Sequence, residues 1–157
     1  MKSLLLRLFV LLPIPWRRRV TWLGMSTYTV GVSGIVVDGE GRVLLLRHRF
    51  RESSGWQLPG GFVERGESLH VALKRELREE VGLEVDVRRV VDAGVERALH
   101  IDISFLATIK GGELAIDTGE LLDARFFTPA ELESILRRGQ GASIYIALQD
   151  AARLREE

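Results

Sequence analysis

Residues 60–83 decide the fold of this chain, and they read GGFVERGESLHVALKRELREEVGL. Apolar residues recur there at steps of four: Leu69, Leu73, Leu77 and Val81. This spacing predicts an amphipathic helix that buries one apolar face. Ser68 is the expected N-cap and Gly82 the expected C-terminal glycine, so both ends of the helix are marked in the sequence.

Three glutamates lie in the second half of the same stretch. Glu76, Glu79 and Glu80 stand at positions i, i+3 and i+4, and residues so spaced are neighbours on a helix surface. Their charges repel one another unless a cation lies between them. Hard divalent ions such as Mg²⁺ and Mn²⁺ prefer carboxylate oxygens, so the pattern indicates a metal site. A solvated charged face is the alternative, and a helix that served only the core would leave the glutamates unexplained.

The stretch resembles the Nudix hydrolase family at every defining position. The family pattern is Gly, five residues, Glu, seven residues, then Arg-Glu-aliphatic-x-Glu-Glu-x-Gly-aliphatic. The matching residues here are Gly61, Glu67, Arg75, Glu76, Leu77, Glu79, Glu80, Gly82 and Leu83. A pattern with this many restricted positions is specific. Residues 56–61 and 121–132 are also similar to the segments that flank the box in the family.

The resemblance implies a fold and a reaction. The fold is α+β, an α/β/α sandwich with a mixed β-sheet and the Nudix loop-helix. The reaction is metal-dependent hydrolysis of a pyrophosphate bond in a nucleoside diphosphate linked to another group, by attack of water on phosphorus. The expected cofactor is Mg²⁺, with Mn²⁺ as the alternative. The competing class is a Nudix-like module that senses a nucleotide without cleaving it, and the complete set of box glutamates favours catalysis.

The resemblance also implies roles for individual residues. The expected metal ligands are the Gly61 carbonyl, Glu76, Glu79 and Glu80. The expected catalytic residues are Glu76, Glu79, Glu80 and Glu120, with either Glu79 or the loop residue Glu120 polarising the attacking water. The alternative interpretation of Glu120 is a solvated loop residue without a role in catalysis. Glu67 and Arg75 are expected to form an ion pair that supports the loop against the helix.

Basic and aromatic residues outside the box are candidates for substrate binding: Arg47, Arg49, Arg51, Trp56 and Arg97. Each arginine alone is more often a surface or strand-edge residue, and Trp56 is more often part of a core. His48 and His100 are weaker candidates for phosphate contacts, and Phe62 is a candidate for stacking on a base.

The substrate itself is not named by the sequence. The accessory marks of the ADP-ribose, coenzyme A and dinucleoside polyphosphate groups are missing, as is the Ser-Gln-Pro-Trp run of the NADH group. A nucleoside triphosphate or a nucleotide sugar is left open. The expected partner is therefore a small-molecule diphosphate.

Composition excludes several other classes of function. The chain has 157 residues, 46% of them apolar, with a net charge of +0 and no cysteine. One domain is expected at this length, and the balanced charge gives no reason to expect nucleic-acid binding. Without cysteine there is no disulfide, thiol nucleophile or cysteine-ligated zinc.

Residues 1–26 form a basic and apolar segment before the expected domain, which spans residues 27–157. The apolar run is interrupted by Arg7, Pro13 and Pro15, so it is shorter than the roughly 20 residues that span a bilayer. We expect a short helix that packs on the domain or on a second subunit of a homodimer. The alternatives are a segment on an anionic membrane surface, which would suit a hydrolase of lipid-type diphosphates, and a targeting signal. The expected location is cytoplasmic.

The remaining patterns predict mostly strands. Residues 28–37 and 42–48 form a predicted hairpin around a turn at 38–41. Further strands are predicted at residues 56–58, 85–91, 100–109 and 121–127, with a turn at Gly111 and Gly112. Helices are predicted at residues 129–137 and 143–154.

Overall fold

The structure is a computed structural model that describes residues 13–16, 27–50, 55–96 and 99–135, together with Ile144 and Leu148. Its strands are β1 (Thr29–Val37), β2 (Val43–His48), β3 (Gly60–Phe62), β4 (Leu83–Glu96), β5 (His100–Gly112) and β6 (Leu121–Phe127). Its helices are α1 (Leu69–Val81) and α2 (Pro129–Ile135).

The six strands form one mixed sheet. The order is β4-β5-β1-β2-β6, and β3 pairs separately with β1. β1 runs parallel to β5 along its whole length, from the pair Thr29↔His100 to the pair Val37↔Thr108. The other pairings are antiparallel. The mixed sheet that the family resemblance implied is therefore confirmed.

Both faces of the sheet are buried, as β2 shows. Leu44 and Leu46 lie in the core beneath α1, whereas Val43 and Leu45 lie in a second core with Leu132 of α2. Ile144 and Leu148 also belong to that second core. A strand that is covered on both sides has no polar face, which explains the continuous apolar run in its sequence. The result is the expected sandwich of a sheet between helices.

Helix α1 begins and ends where its caps predict. The Ser68 hydroxyl accepts a hydrogen bond from the Val71 N–H at 3.4 Å, and Gly82 has the left-handed conformation, with φ of 68°. Glycine adopts this conformation without the clash that a Cβ would cause. Leu73 and Leu77 are fully buried, and each contributes about 1.5–3 kcal/mol by leaving water.

Three local predictions are wrong. The connection between β1 and β2 has five residues rather than four, and these strands pair only at Val37↔Val43. Residues 56–58 form no strand, because Gln57 makes a single bridge to Leu46. Gly111 and Gly112 do not form a turn, since the antiparallel pairing of β4 with β5 continues through them.

Some predictions lie outside the described residues. Of the segment 1–26, only residues 13–16 are described, and residues 14–16 form a helical turn. Of the helix predicted at 143–154, only Ile144 and Leu148 are described, and both are helical. Within the described part of the chain, no helix is long and apolar enough to cross a membrane.

Candidate active site

Glu80 is the buried member of the glutamate cluster on α1, and only 5% of its surface is exposed. The Gly60 N–H donates a hydrogen bond to its Oε2 at 3.0 Å. The Nε2 atom of His48, at the end of β2, lies 3.9 Å from Oε1. Both oxygens of this carboxylate therefore face groups that belong to the sheet, so the fold restricts where Glu80 points.

Arg75 connects the other acidic residues of the box. Its guanidinium lies 2.8 Å from Glu67, 3.0 Å from Glu76 and 3.2 Å from Glu79. It also donates to the Phe62 carbonyl at 3.0 Å. The hydrogen bond with Arg75 lowers the pKa of Glu67, and the same bond is the main reason that the pKa of Arg75 is raised. The structure thus contains the Glu67–Arg75 ion pair, and Arg75 also supplies a positive charge between Glu76 and Glu79.

Gly61 lies directly against Glu76. A Cβ at residue 61 would lie 2.5 Å from the Glu76 Oε1 atom, so a larger residue here would force the carboxylate out of its present position. Burial raises the pKa of Glu76, and the charges of Glu79 and Glu120 raise it further, whereas the hydrogen bond from Arg75 acts in the opposite direction. Glu76 is therefore a half-buried carboxylate in an acidic environment.

The loop at residues 117–120 is attached to the end of α1 and to the end of β2. The Asp117 N–H donates to the Glu80 carbonyl at 3.0 Å, and the Arg49 N–H donates to the Glu120 carbonyl at 2.9 Å. The Arg49 side chain also donates to the Thr118 carbonyl at 3.2 Å. These bonds hold the loop beside the glutamate cluster, and the effect of the Glu120 charge on Glu76 is consistent with this position.

The residues expected to bind the metal have the oxygen atoms that a hard divalent ion prefers. Three carboxylates and the Gly61 carbonyl offer oxygen donors of the kind that such an ion prefers. Among the residues that the structure describes, however, no three acidic or histidine side chains lie close enough together to hold one ion. Arg75 pairs with both Glu76 and Glu79 and partly neutralises their charges.

The candidate substrate residues do not form one group. The Arg47 guanidinium lies 5.7 Å from the centre of the Trp56 ring, and Trp56 packs edge-on against Phe127 with ring centres 4.7 Å apart. Trp56 belongs to the core on the face opposite α1, so the structure gives it a packing role. Arg49 lies at the loop beside the glutamates. Arg51 and Arg97 lie outside the described residues.

Sequence reasoning did not foresee two contacts with Glu80, those of Gly60 and His48. A signal for His48 was present, because alternation along β2 places it on the same face as Leu44 and Leu46, towards α1. Gly60 gave no such signal, since its role depends on the pairing of β3 with β1.

Comparison with known proteins agrees with the fold and the box. The NUDIX domain family model matches residues 27–148, and the chain belongs to the Nudix family. An NAD-capped RNA hydrolase NudC from Photobacterium profundum is 33% identical over 113 residues, which cover 71% of this chain and 42% of that protein. The chain therefore spans less than half the length of that relative.

Two solved structures have the same fold. The MutT Nudix hydrolase from Burkholderia pseudomallei is 25% identical with a TM-score of 0.61, over 79% of this chain and 98% of that one. A Nudix hydrolase from Nitrosomonas europaea is 22% identical with a TM-score of 0.69, over 82% and 74% of the two chains. The predicted family and fold class are thus confirmed.

Proposed function

We propose that the protein is a Nudix pyrophosphohydrolase, which hydrolyses a pyrophosphate bond in a nucleoside diphosphate linked to another group. The observation that carries this proposal is the set of three glutamates on α1. Glu76 packs against Gly61, Arg75 pairs with Glu76 and Glu79, and Glu80 accepts a hydrogen bond from Gly60. Membership of the Nudix family and the hydrolase relatives support it.

Nudix proteins use divalent metal ions, and we propose Mg²⁺ here, with Mn²⁺ as the alternative. The residues that would hold the ion are the Gly61 carbonyl, Glu76, Glu79 and Glu80. When bound, such an ion neutralises charge on the diphosphate and lowers the pKa of water. The contacts of Gly60 and His48 with Glu80 fix the direction of this ligand.

The protein also supplies a base for the attacking water. Water attacks phosphorus, the bond from phosphorus to the bridging oxygen breaks, and the proton of the water passes to a carboxylate. Glu79 and Glu120 are the candidates, because both are exposed whereas Glu80 is buried. An exposed carboxylate can accept this proton where it stands, whereas a buried one would first have to move out of the core.

The substrate is a small-molecule diphosphate in this proposal, either a nucleoside triphosphate or a nucleotide sugar. The second candidate is an NAD-capped RNA, because that is the substrate named for the NudC relatives. The net charge of +0 gives no general attraction to RNA, and the Ser-Gln-Pro-Trp run of the NADH group is missing. These two features favour the small molecule.

A screen of pyrophosphate-bond hydrolysis, read by chromatographic separation of the two phosphorylated products, tests the proposal. The full-length protein is incubated with Mg²⁺ or Mn²⁺ and with nucleoside triphosphates, nucleotide sugars, ADP-ribose, dinucleoside polyphosphates, isoprenoid diphosphates and an NAD-capped RNA. Glu80→Gln is the inactive variant, and Glu84→Gln is the matched control because Glu84 is an exposed residue of β4. We expect one strong substrate, lost in Glu80→Gln and kept in Glu84→Gln. Binding of a nucleotide without hydrolysis of any compound would instead indicate a sensing module.

A further inference from the structure

The loop at residues 117–120 is closed by hydrogen bonds to one of its own residues, Asp117. The Asp117 carbonyl accepts from the N–H groups of Glu120 at 3.1 Å and of Leu121 at 2.8 Å. The Asp117 side chain accepts from the Gly119 N–H at 2.8 Å, which is the local turn that aspartate favours. These bonds keep the residues of the loop in fixed positions relative to one another.

Arg49 binds this closed loop from the end of β2 by two separate contacts. Its guanidinium donates to the Thr118 carbonyl at 3.2 Å, and its backbone N–H donates to the Glu120 carbonyl at 2.9 Å. The backbone contact is open to any residue except proline, because it needs only an N–H group. The side-chain contact is the part that depends on arginine.

An irregularity in the sheet lies directly before these contacts. The register of β2 with β6 shifts between Arg47 and His48, where Leu122 of β6 has no opposite residue in β2. Such a bulge bends its strand and interrupts the ladder of hydrogen bonds. The pairing of β2 with β6 therefore fixes the direction of the loop less tightly than a regular ladder would, and Arg49 adds a restraint beyond the bulge.

Glu120 is the acidic residue that this loop brings to the glutamates of α1. Burial raises the pKa of Glu76, and the charges of Glu79 and Glu120 raise it further, so the Glu120 carboxylate interacts with the cluster. Glu79 is paired with Arg75 at 3.2 Å. Within the described part of the chain, by contrast, no group forms a hydrogen bond or an ion pair with the Glu120 carboxylate. Its position is therefore set by the backbone of the loop.

We propose that Arg49 is a positioning residue, which holds the loop so that the Glu120 carboxylate keeps its place beside the glutamates of α1. This inference rests on the proposed function, in which Glu120 is a candidate base, and it requires Glu120 to be the base that is used. A base acts only within hydrogen-bond reach of the proton that it accepts. Arg49 therefore affects turnover through the loop, rather than by binding the substrate as its sequence position suggested.

A double-variant cycle on the full-length protein tests this role. The variants are Arg49→Met, Glu120→Gln and the two combined, because methionine keeps an unbranched side chain and the backbone N–H but removes the donor and the charge. The matched control is Arg88→Met, since Arg88 is exposed and pairs with Asp86 on the surface of β4. The constants kcat and KM are measured with Mg²⁺ and with the nucleoside triphosphate or nucleotide sugar that the wild type hydrolyses fastest.

We expect Arg49→Met to lower kcat about tenfold and to leave KM nearly unchanged, because a small misplacement of a reacting group lowers turnover without weakening binding. In the Glu120→Gln background it should lower kcat no further, since the group that it positions is already absent. Arg88→Met should keep both constants. A raised KM with an unchanged kcat would show that Arg49 binds substrate, and an equal fall of kcat in both backgrounds would show that it acts independently of Glu120. Either result would overturn the proposal.

Amide hydrogen exchange tests the contact itself without a substrate. The N–H groups of Glu120 and Leu121 are hydrogen-bonded in the closed loop, so a loosened loop exchanges them faster. We expect faster exchange of these two groups in Arg49→Met than in the wild type and in Arg88→Met. Equal exchange in all three proteins would overturn the proposal, because the side chain of Arg49 would then not hold the loop.

The two measurements also separate this inference from the proposed function. Faster exchange in Arg49→Met, in a protein that hydrolyses no compound, would reject the enzyme and with it the catalytic role of Arg49, whereas the contact with the loop would stand. Hydrolysis with a kcat that Arg49→Met does not change would uphold the enzyme and reject the role of Arg49.

Discussion

At the residue scale, the candidate site depends on the absence of a side chain at Gly61. We predict that Gly61→Ala lowers both turnover and Mn²⁺ affinity, because the new Cβ would occupy the space of the Glu76 carboxylate. A misplacement of about 1 Å at a reacting group lowers turnover by about 100-fold. Turnover and calorimetric titration with Mn²⁺ measure the two effects.

The control for this variant is Gly39→Ala, since a Cβ at residue 39 meets nothing within 4 Å. Gly39 lies in the exposed turn after β1, so its substitution should change neither quantity. If Gly61→Ala kept wild-type turnover and Mn²⁺ affinity, Gly61 would have no part in holding Glu76.

Arg75 is the second residue on which the site depends, and lysine should not replace it. The guanidinium contacts Glu67, Glu76 and Glu79 at once, whereas a lysine presents a single point charge without the planar set of donors. We predict that Arg75→Lys lowers the free energy of unfolding by about 1–3 kcal/mol, the cost of leaving half-buried charges without their partners.

Urea unfolding measures this loss, with Arg88→Lys as the control. Arg88 forms an exposed pair with Asp86 at 3.1 Å, and exposed pairs contribute about 0–1 kcal/mol. Equal losses in the two variants would mean that the contacts of Arg75 do not stabilise the loop before α1.

At the element scale, the turn between β1 and β2 depends on Asp38. Its Oδ1 accepts from the N–H groups of Glu40 and Arg42, each at 2.9 Å, and its Oδ2 accepts from the Arg42 side chain at 2.7 Å. Burial alone would raise the pKa of Asp38, but the hydrogen bonds and the charge of Arg42 together bring the pKa below its ordinary value of 3.8.

This lowered pKa gives a prediction with a definite sign. The ionised form stabilises the fold, so its contribution is complete above the ordinary pKa and is lost as the pH falls through the lowered value. We predict that Asp38→Asn lowers the free energy of unfolding by about 1 kcal/mol at neutral pH, because the charged hydrogen bonds are weakened. The difference from wild type should shrink as the pH falls below 3.8, and urea unfolding at a series of pH values measures it. A difference that grows on acidification would contradict the assigned direction.

The same scale shows which elements the sequence could predict. The spacing of leucines and the caps Ser68 and Gly82 predicted α1, and alternation predicted β5, because these signals are local. β3 could not be predicted, since a strand of three residues with two glycines has no period. Its existence depends on pairing with β1, a contact between distant parts of the chain.

The candidate site also has contacts that the sequence could predict and contacts that it could not. The glutamates on α1 and the Glu67–Arg75 pair were readable because they follow the spacing of one helix and its preceding loop. The hydrogen bonds of Thr29 with His100 and of Ser33 with Asp102 were not, because they form only through the parallel pairing of β1 with β5, about 70 residues apart. The contact of His48 with Glu80 likewise joins a strand to a helix.

At the scale of the whole molecule, the role of residues 1–26 stays a prediction. We expect this segment to pack on the domain, so a chain starting at Thr27 should pellet with anionic vesicles to the same small extent as the full-length chain. Stronger pelleting of the full-length chain would favour the membrane-surface alternative. Light scattering of both chains at the same concentration tests the predicted homodimer.

The fold brings the three glutamates of α1 close to one another, and their repulsion lowers the stability of the folded state. Glu80 is almost fully buried, and Glu76 and Glu79 lie on the same helix face, so neutralising one carboxylate removes both repulsion and the cost of burying a charge. We therefore predict that Glu80→Gln, without added metal, unfolds at the same temperature as the wild type or at a higher one. Sites that bind ions are commonly less stable than their inactive variants for this reason.

Added Mg²⁺ should reverse that order. An ion that binds only the folded state stabilises it by about 2.7 kcal/mol at a concentration 100 times its dissociation constant, so the unfolding temperature of the wild type should rise with Mg²⁺ concentration. Glu80→Gln should show little rise, because it lacks one proposed ligand, and Glu84→Gln should rise as the wild type does. Thermal unfolding across a Mg²⁺ series measures all three proteins. An equal rise in Glu80→Gln and the wild type would show that the stabilising ion binds elsewhere, and the role proposed for the glutamates of α1 would then have to be abandoned.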